Sequence, residues 1–151
     1  MSLYRNTGMF PHPSPKDQTH MRNFLMKTIR IVSGEESGIL SDPVIYLFRN
    51  RFPYWVEAVQ DSQYEMVNRL ISFYQETGRM PTSFGEENKL YSFLQRMILR
   101  DNGNMKGIVF EETIAQLDHA IPSWREHSEE MEQQKQAEQI VYFYDLTGYL
   151  P

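Results

Sequence analysis

The chain contains no cysteine, which excludes disulfides, thiolate metal sites and a cysteine nucleophile. No apolar run approaches the length of a membrane span, and no charged-then-apolar leader opens the sequence; the expectation is no membrane span, no signal peptide and no secretion. Histidines are few: His12, His20, His119 and His127. No two of them stand three or four residues apart, so no metal site is expected. The phosphate-binding pattern Gly-x-x-x-x-Gly-Lys-Ser/Thr is missing, as is the Gly-x-Ser-x-Gly elbow; Ser33, Ser37, Ser41, Ser83 and Ser128 lie in turn or cap contexts. The acidic pairs Glu35-Glu36, Glu86-Glu87 and Glu111-Glu112 fall where helices begin or turns occur, which suits helix-dipole complementation better than acid–base work. Together these absences predict a protein that is not an enzyme, with no cofactor and no small-molecule substrate.

What is present is unevenly charged. The net charge is −5, yet residues 1–55 hold seven bases against four acids, a balance of +3 that leaves −8 for the rest. Arg22, Lys27, Arg30, Arg49 and Arg51 in that first third are the candidate phosphate contacts. The acidic remainder opposes a duplex.

One phrase occurs three times at an offset of 70 residues: Tyr4…Thr7-Gly8-Met9-Phe10-Pro11, Tyr74…Thr77-Gly78-Arg79-Met80-Pro81 and Tyr144…Thr147-Gly148-Tyr149-Leu150-Pro151. A glycine four residues after an apolar-periodic tyrosine stops a helix in the left-handed conformation, and the proline beyond forbids continuation. Between the copies a second phrase repeats at an offset of 69, matching Phe24/Phe93, Leu25/Leu94, Ile29/Ile98, Gly34/Gly103, Gly38/Gly107, Ile45/Ile114, Pro53/Pro122 and Trp55/Trp124. Leu40/Val109, Phe48/Leu117 and Phe52/Ile121 are apolar for apolar. Repetition at this period marks a reused supersecondary unit.

Helical spacing dominates. Met21, Phe24, Leu25, Thr28, Ile29 and Val32 form one face, and Asp42-Pro43 starts a short helix burying Val44, Ile45 and Phe48. Ser62-x-x-Glu65 predicts a capping box for a helix over 62–77, and Ser83-x-x-Glu86 caps the next, which carries Leu90, Phe93, Leu94, Met97 and Ile98. A short helix follows around Thr113, Ile114 and Leu117, then a long one over 125–147, polar at first and apolar late. No strand pattern appears. The predicted fold is all-α, with Trp55 and Trp124 as core pins in preference to platforms for stacking a base.

In order and spacing, Tyr74…Gly78…Pro81, Leu90-x-x-Phe93-Leu94-x-Arg96, Leu117-Asp118 and Trp124 resemble the helicase-associated domain, a three-helix module found in tandem beside helicases and in proteins of large DNA viruses. The sequence departs from that family at Phe93, where a tryptophan is usual, and in having fewer bases through the second helix. The resemblance implies tandem three-helix units, contact with nucleic acid, and an intracellular or virion setting, including that of a minor capsid protein.

The expected organisation is an extended proline-rich arm over 1–20, a partial unit over 21–61, a complete unit over 62–124, and the first helix of a further unit over 125–151. The C-terminal helix is expected to complete the N-terminal half-unit, within one chain, between chains, or as part of a longer tandem array. Candidate protein-interface residues are Tyr4 and Phe10 in the arm and Ala137, Ile140, Val141, Phe143 and Tyr144 in the last helix. The leading expectation is an architectural protein docking on other protein subunits; the alternative is a nucleic-acid-binding accessory module.

Overall fold

Ser14 opens the described structure and starts its first helix. Its hydroxyl accepts from the Asp17 amide at 3.2 Å, the Asp17 carboxylate reaches back to the Ser14 amide at 3.4 Å, and Pro15 fills the first helical position. This is a complete capping box. The computed structural model describes residues 14–151, and among these the chain is all-α, with no strand. Six helices run in order: α1 (Pro15–Ser33), α2 (Asp42–Arg51), α3 (Trp55–Thr77), α4 (Asn88–Asp101), α5 (Glu111–Ala120) and α6 (Glu129–Thr147).

Three expectations about element boundaries need correction. The arm expected over 1–20 is helical from Pro15 onward, because Pro15 stands where a helix tolerates proline. Ser62 does not cap: α3 starts at Trp55, two residues after Pro53, and Ser62 lies well inside it, donating to Glu35 Oε2 at 2.8 Å. Nor does Ser83 cap α4, which follows a 3₁₀ turn at Gly85–Glu87; there Glu87 accepts from the Thr82 amide at 3.0 Å. The first copy of the repeated phrase, with Tyr4 and Phe10, lies outside the described residues.

α3 is the spine. It has 23 residues, roughly 35 Å at the standard rise, and each half serves a different core. Its first turns bring Trp55 and Val59 against Ile29 and Val32 of α1, with Ile45 and Phe48 of α2 at the margin. Its second half brings Met66, Val67 and Leu70 against Phe93, Leu94, Met97 and Ile98 of α4, Leu117 of α5, and Ile121 and Trp124 beyond it. Both tryptophans are buried, at 2% and 0% exposure.

Gln63 sits where the two cores meet and is fully buried. Its Nε2 donates to the carbonyls of Ser33 (3.0 Å) and Ile108 (2.7 Å), and its Oε1 accepts from the Phe110 amide (3.1 Å) and the Thr113 hydroxyl (2.7 Å). An amide has two donors and two acceptor sites, and all four are used. One side chain thereby ties the end of α1, the α4–α5 loop and the start of α5 to the spine.

Removing it leaves several buried polar groups without partners. Gln63→Leu is expected to lower unfolding free energy by about 3 kcal/mol, whereas Gln133→Leu, at the exposed position 70 residues on, should change it by no more than about 0.5 kcal/mol. Urea denaturation of the two variants checks this; equal effects would contradict the role assigned to Gln63.

Candidate docking surface

The two later copies of the repeated phrase adopt one local geometry. Gly78 (φ 72°) and Gly148 (φ 75°) end α3 and α6 in the left-handed conformation, their amides donating to Tyr74 and Tyr144. Thr77 donates to the Phe73 carbonyl at 2.7 Å and accepts from the Arg79 amide; Thr147 donates to Phe143 at 2.9 Å and accepts from Tyr149. The threonine thus closes the last turn and the glycine reverses it. Their surroundings differ. After Gly78 the chain folds onto α4, with Met80 packed on the core and Arg79 paired with Glu87 at 2.7 Å. After Gly148, Tyr149 and Leu150 are exposed.

α6 carries most of the expected interface residues. Ser128 caps it, accepting from the Met131 amide at 3.2 Å, and Gln95 of α4 anchors its start by accepting from the Glu129 amide at 2.7 Å and donating to the His127 carbonyl at 2.8 Å. Beyond that anchor every residue of α6 except Glu132 is exposed. Ala137, Ile140, Val141 and Tyr144 share one face by helical spacing, while Phe143 points away from it. Ile140 is 49% exposed, where Leu70, its counterpart on α3, is 0%. The expected closure of α6 onto the N-terminal half within one chain does not occur among the described residues. The break at Ser128 accounts for this: α3 runs unbroken from Trp55, whereas the corresponding stretch is a 3₁₀ turn at Trp124–His127 followed by a fresh helix start.

A second apolar surface lies at the other end. Met21 and Phe24 of α1, Tyr46 and Leu47 of α2, and Phe52 after it are all exposed. Phe24 meets Phe48 edge-on at 6.0 Å, and Phe48 in turn leans on Trp55 at 5.8 Å.

The five candidate phosphate contacts do not form one patch. Arg22 and Lys27 are exposed on α1, and Arg30, three positions beyond Lys27, approaches Glu36 at 3.8 Å. Arg49 and Arg51 stand two positions apart in α2, which puts them on opposite sides of it. Arg96, which belongs to the family-like motif, points inward: it donates to the carbonyls of Gly34 (2.8 Å) and Glu35 (2.9 Å). One turn on, Arg100 is buried and donates to the Ile31 and Lys106 carbonyls, both at 2.9 Å. Burial first, then the neighbouring Arg96 charge, pushes the Arg100 guanidinium down to about 10, still protonated at neutral pH. Two cations thus satisfy the negative end of α1. Sequence reasoning missed this pair; the glycines opposite are the signal. A Cβ on Gly34 or Gly107, both at positive φ, would run into the Arg100 guanidinium.

The motif residues Leu117-Asp118 and Trp124 are structural. Trp124 Nε1 donates to Asp118 at 2.8 Å, and Arg125 lies over the indole, 4.4 Å from its centroid, pairing with Asp118 and Asp101. Trp55 has Arg49 at the position of Asp118, and its Nε1 is buried without a hydrogen-bond partner. His, Asp and Glu side chains form no group of three that could hold a metal among the described residues, and no described helix is long and apolar enough to cross a membrane.

Glu87 offers a direct check on the phrase-bearing turn. Hydrogen bonds from Arg79, then from the Thr82 amide, hold its carboxyl at about 2, against an ordinary 4.5. A depressed folded-state value means that the stabilisation is complete above pH 4.5 and is lost as pH falls towards 2. Carbon-detected NMR titration should place the Glu87 midpoint near 2 and return it towards the ordinary value in Arg79→Gln. An unshifted midpoint in the parent protein would contradict the pairing.

Comparison of the chain with protein-family models, with curated proteins and with solved structures finds no match.

Proposed function

We propose that this chain is a non-enzymatic architectural protein, built of tandem three-helix units, that docks on protein neighbours through the apolar face of α6 and the aromatic face of α1 and α2. The observation that carries this reading is the exposure of Ile140, Val141 and Tyr144 at 49, 58 and 51%. Soluble proteins keep contiguous apolar surface of this kind for interaction sites. In this reading α1 and α2 are the second and third helices of one unit, α3 to α5 form a whole unit, and α6 is the first helix of another.

A nucleic-acid accessory module is the second reading, favoured by Arg22 and Lys27 standing exposed on α1. Against it, Arg96 and Arg100 are engaged by backbone carbonyls, and Arg49 and Arg51 diverge.

Two measurements test the proposal. Ile140, Val141 and Tyr144 replaced together by Ser should leave the unfolding free energy at low protein concentration within about 0.5 kcal/mol of the parent, whereas Leu70→Ala should cost about 3 kcal/mol. Destabilisation by the triple replacement would mean that α6 belongs to the chain's own core. Titration with duplex and single-stranded DNA should show no steeply salt-dependent binding; such binding, lost on replacement of Arg22, Lys27 and Arg30, would favour the second reading.

A further inference from the structure

The chain contains its own template for what covers each exposed face. In the second half, α3 lays Met66, Val67 and Leu70 on α4 and α5, and beneath it Phe93 and Ile121 are 0% exposed. At an offset of 69, α1 and the end of α2 present Phe24 and Phe52 in their place, 50% and 41% exposed. Neighbouring positions match too: Leu25 for Leu94, and Phe48 for Leu117. The N-terminal half therefore has a receiving surface without the helix that fills it.

The missing helix has a counterpart in α6. At an offset of 70, Ala137, Ile140, Val141 and Tyr144 repeat Val67, Leu70, Ile71 and Tyr74, and the Thr147-Gly148 cap repeats the Thr77-Gly78 geometry. Charge agrees with the apolar pattern. α1 and α2 carry six bases (Lys16, Arg22, Lys27, Arg30, Arg49, Arg51) against two acids, and α6 carries one base against five acids (Glu129, Glu130, Glu132, Glu138, Asp145). Opposite signs on the two surfaces favour their meeting and discourage α6 from pairing with another α6.

Resting on the docking reading above, we infer that a second copy of this chain is the neighbour: α6 of one copy seats on the α1–α2 face of the next, reproducing the packing of α3 on α4 and α5. The two surfaces differ, so the contact is heterologous. Repeated, it builds a ring or an open array, not a two-fold dimer. The excess of bases on α1 and α2 is then balanced, as a long-range field, by the acids of a neighbour's α6.

The test uses complementary defects, read by sedimentation equilibrium. The parent protein should show a mass that rises with concentration. Ile140→Asp spoils the inserting helix and Phe24→Asp the receiving face; each alone should raise the concentration needed for association at least about tenfold. Mixed in equal amounts, the two should form a one-to-one dimer that grows no further, since each supplies the surface the other lacks. Met21→Glu, at another exposed α1 position, replaces Phe24→Asp if loss of the Phe48 contact unfolds the latter. A mixture that stays monomeric, or single variants that associate like the parent, overturns the inference. A parent that is monomeric throughout also overturns it; if the triple serine replacement is then neutral, docking survives and only the second copy is lost as occupant.

Discussion

The fold depends on one buried amide being fully satisfied. Gln63 lies between two apolar clusters that share no buried member, and its four hydrogen bonds close a buried polar junction along the middle of α3. A buried amide missing a partner would cost more than its bonds contribute. Its neighbours must therefore arrive together: the Ser33 carbonyl at the end of α1, the Ile108 and Phe110 backbone in the loop, and Thr113 in α5. Around that junction Arg96 takes the Gly34 and Glu35 carbonyls and Arg100 the Ile31 carbonyl. α1 is thereby tied to the second half as well as to its own, although its apolar face is only partly covered.

That arrangement explains how similar sequences come to differ in exposure. Phe24 and Phe93 occupy matching positions on matching helices, yet one is half-exposed and the other buried, because α3 leaves α1 after a few turns and continues over α4. The corresponding exit on the far side is different. Ten residues separate Trp55 from Met66, but eleven separate Trp124 from Gln136. This is the slip between offsets of 69 and 70, and the helix breaks and restarts at Ser128 within it. α6 leaves on its own axis, hydrogen-bonded to α4 near its start through Gln95.

Much of the secondary structure was legible because it rests on local chemistry. Periodic apolar residues marked the helices, and Gly34, Gly78 and Gly148 ended them at positive φ as a glycine after the last apolar turn should. Trp55 and Trp124, each two residues after a proline in matching segments, were legible as core. Helix starts were less so, since Ser-x-x-Glu is a capping box only where the chain enters a helix, and at Ser62 it is already inside one. Arg96 and Arg100 were illegible for a different reason. A base every fourth residue on a helix looks like a solvated face until another helix terminus is known to abut it. Gln63 gave no signal, because its value lies in four partners from three distant segments.

The commitments of the cations and the exposure of the apolar residues separate the two functional readings. A surface for phosphate needs cations that are exposed, convergent and free of stronger partners. Here the cations that converge, Arg96 and Arg100, are committed to carbonyls, while those that are exposed lie on different sides of their helices. Apolar exposure behaves oppositely: Ile140, Val141 and Tyr144 share one face of α6, Phe24 and Phe52 both contact Phe48, and the positions matching Phe24 and Phe52, Phe93 and Ile121, are buried where α3 covers them. Under the docking proposal, the exposure of Phe24 and Phe52 where Phe93 and Ile121 are buried marks a packing surface that lacks its helix. In the proposed association, long-range attraction between the basic first third and the acidic last helix would orient the approach, and the aromatic and aliphatic residues would supply the contact.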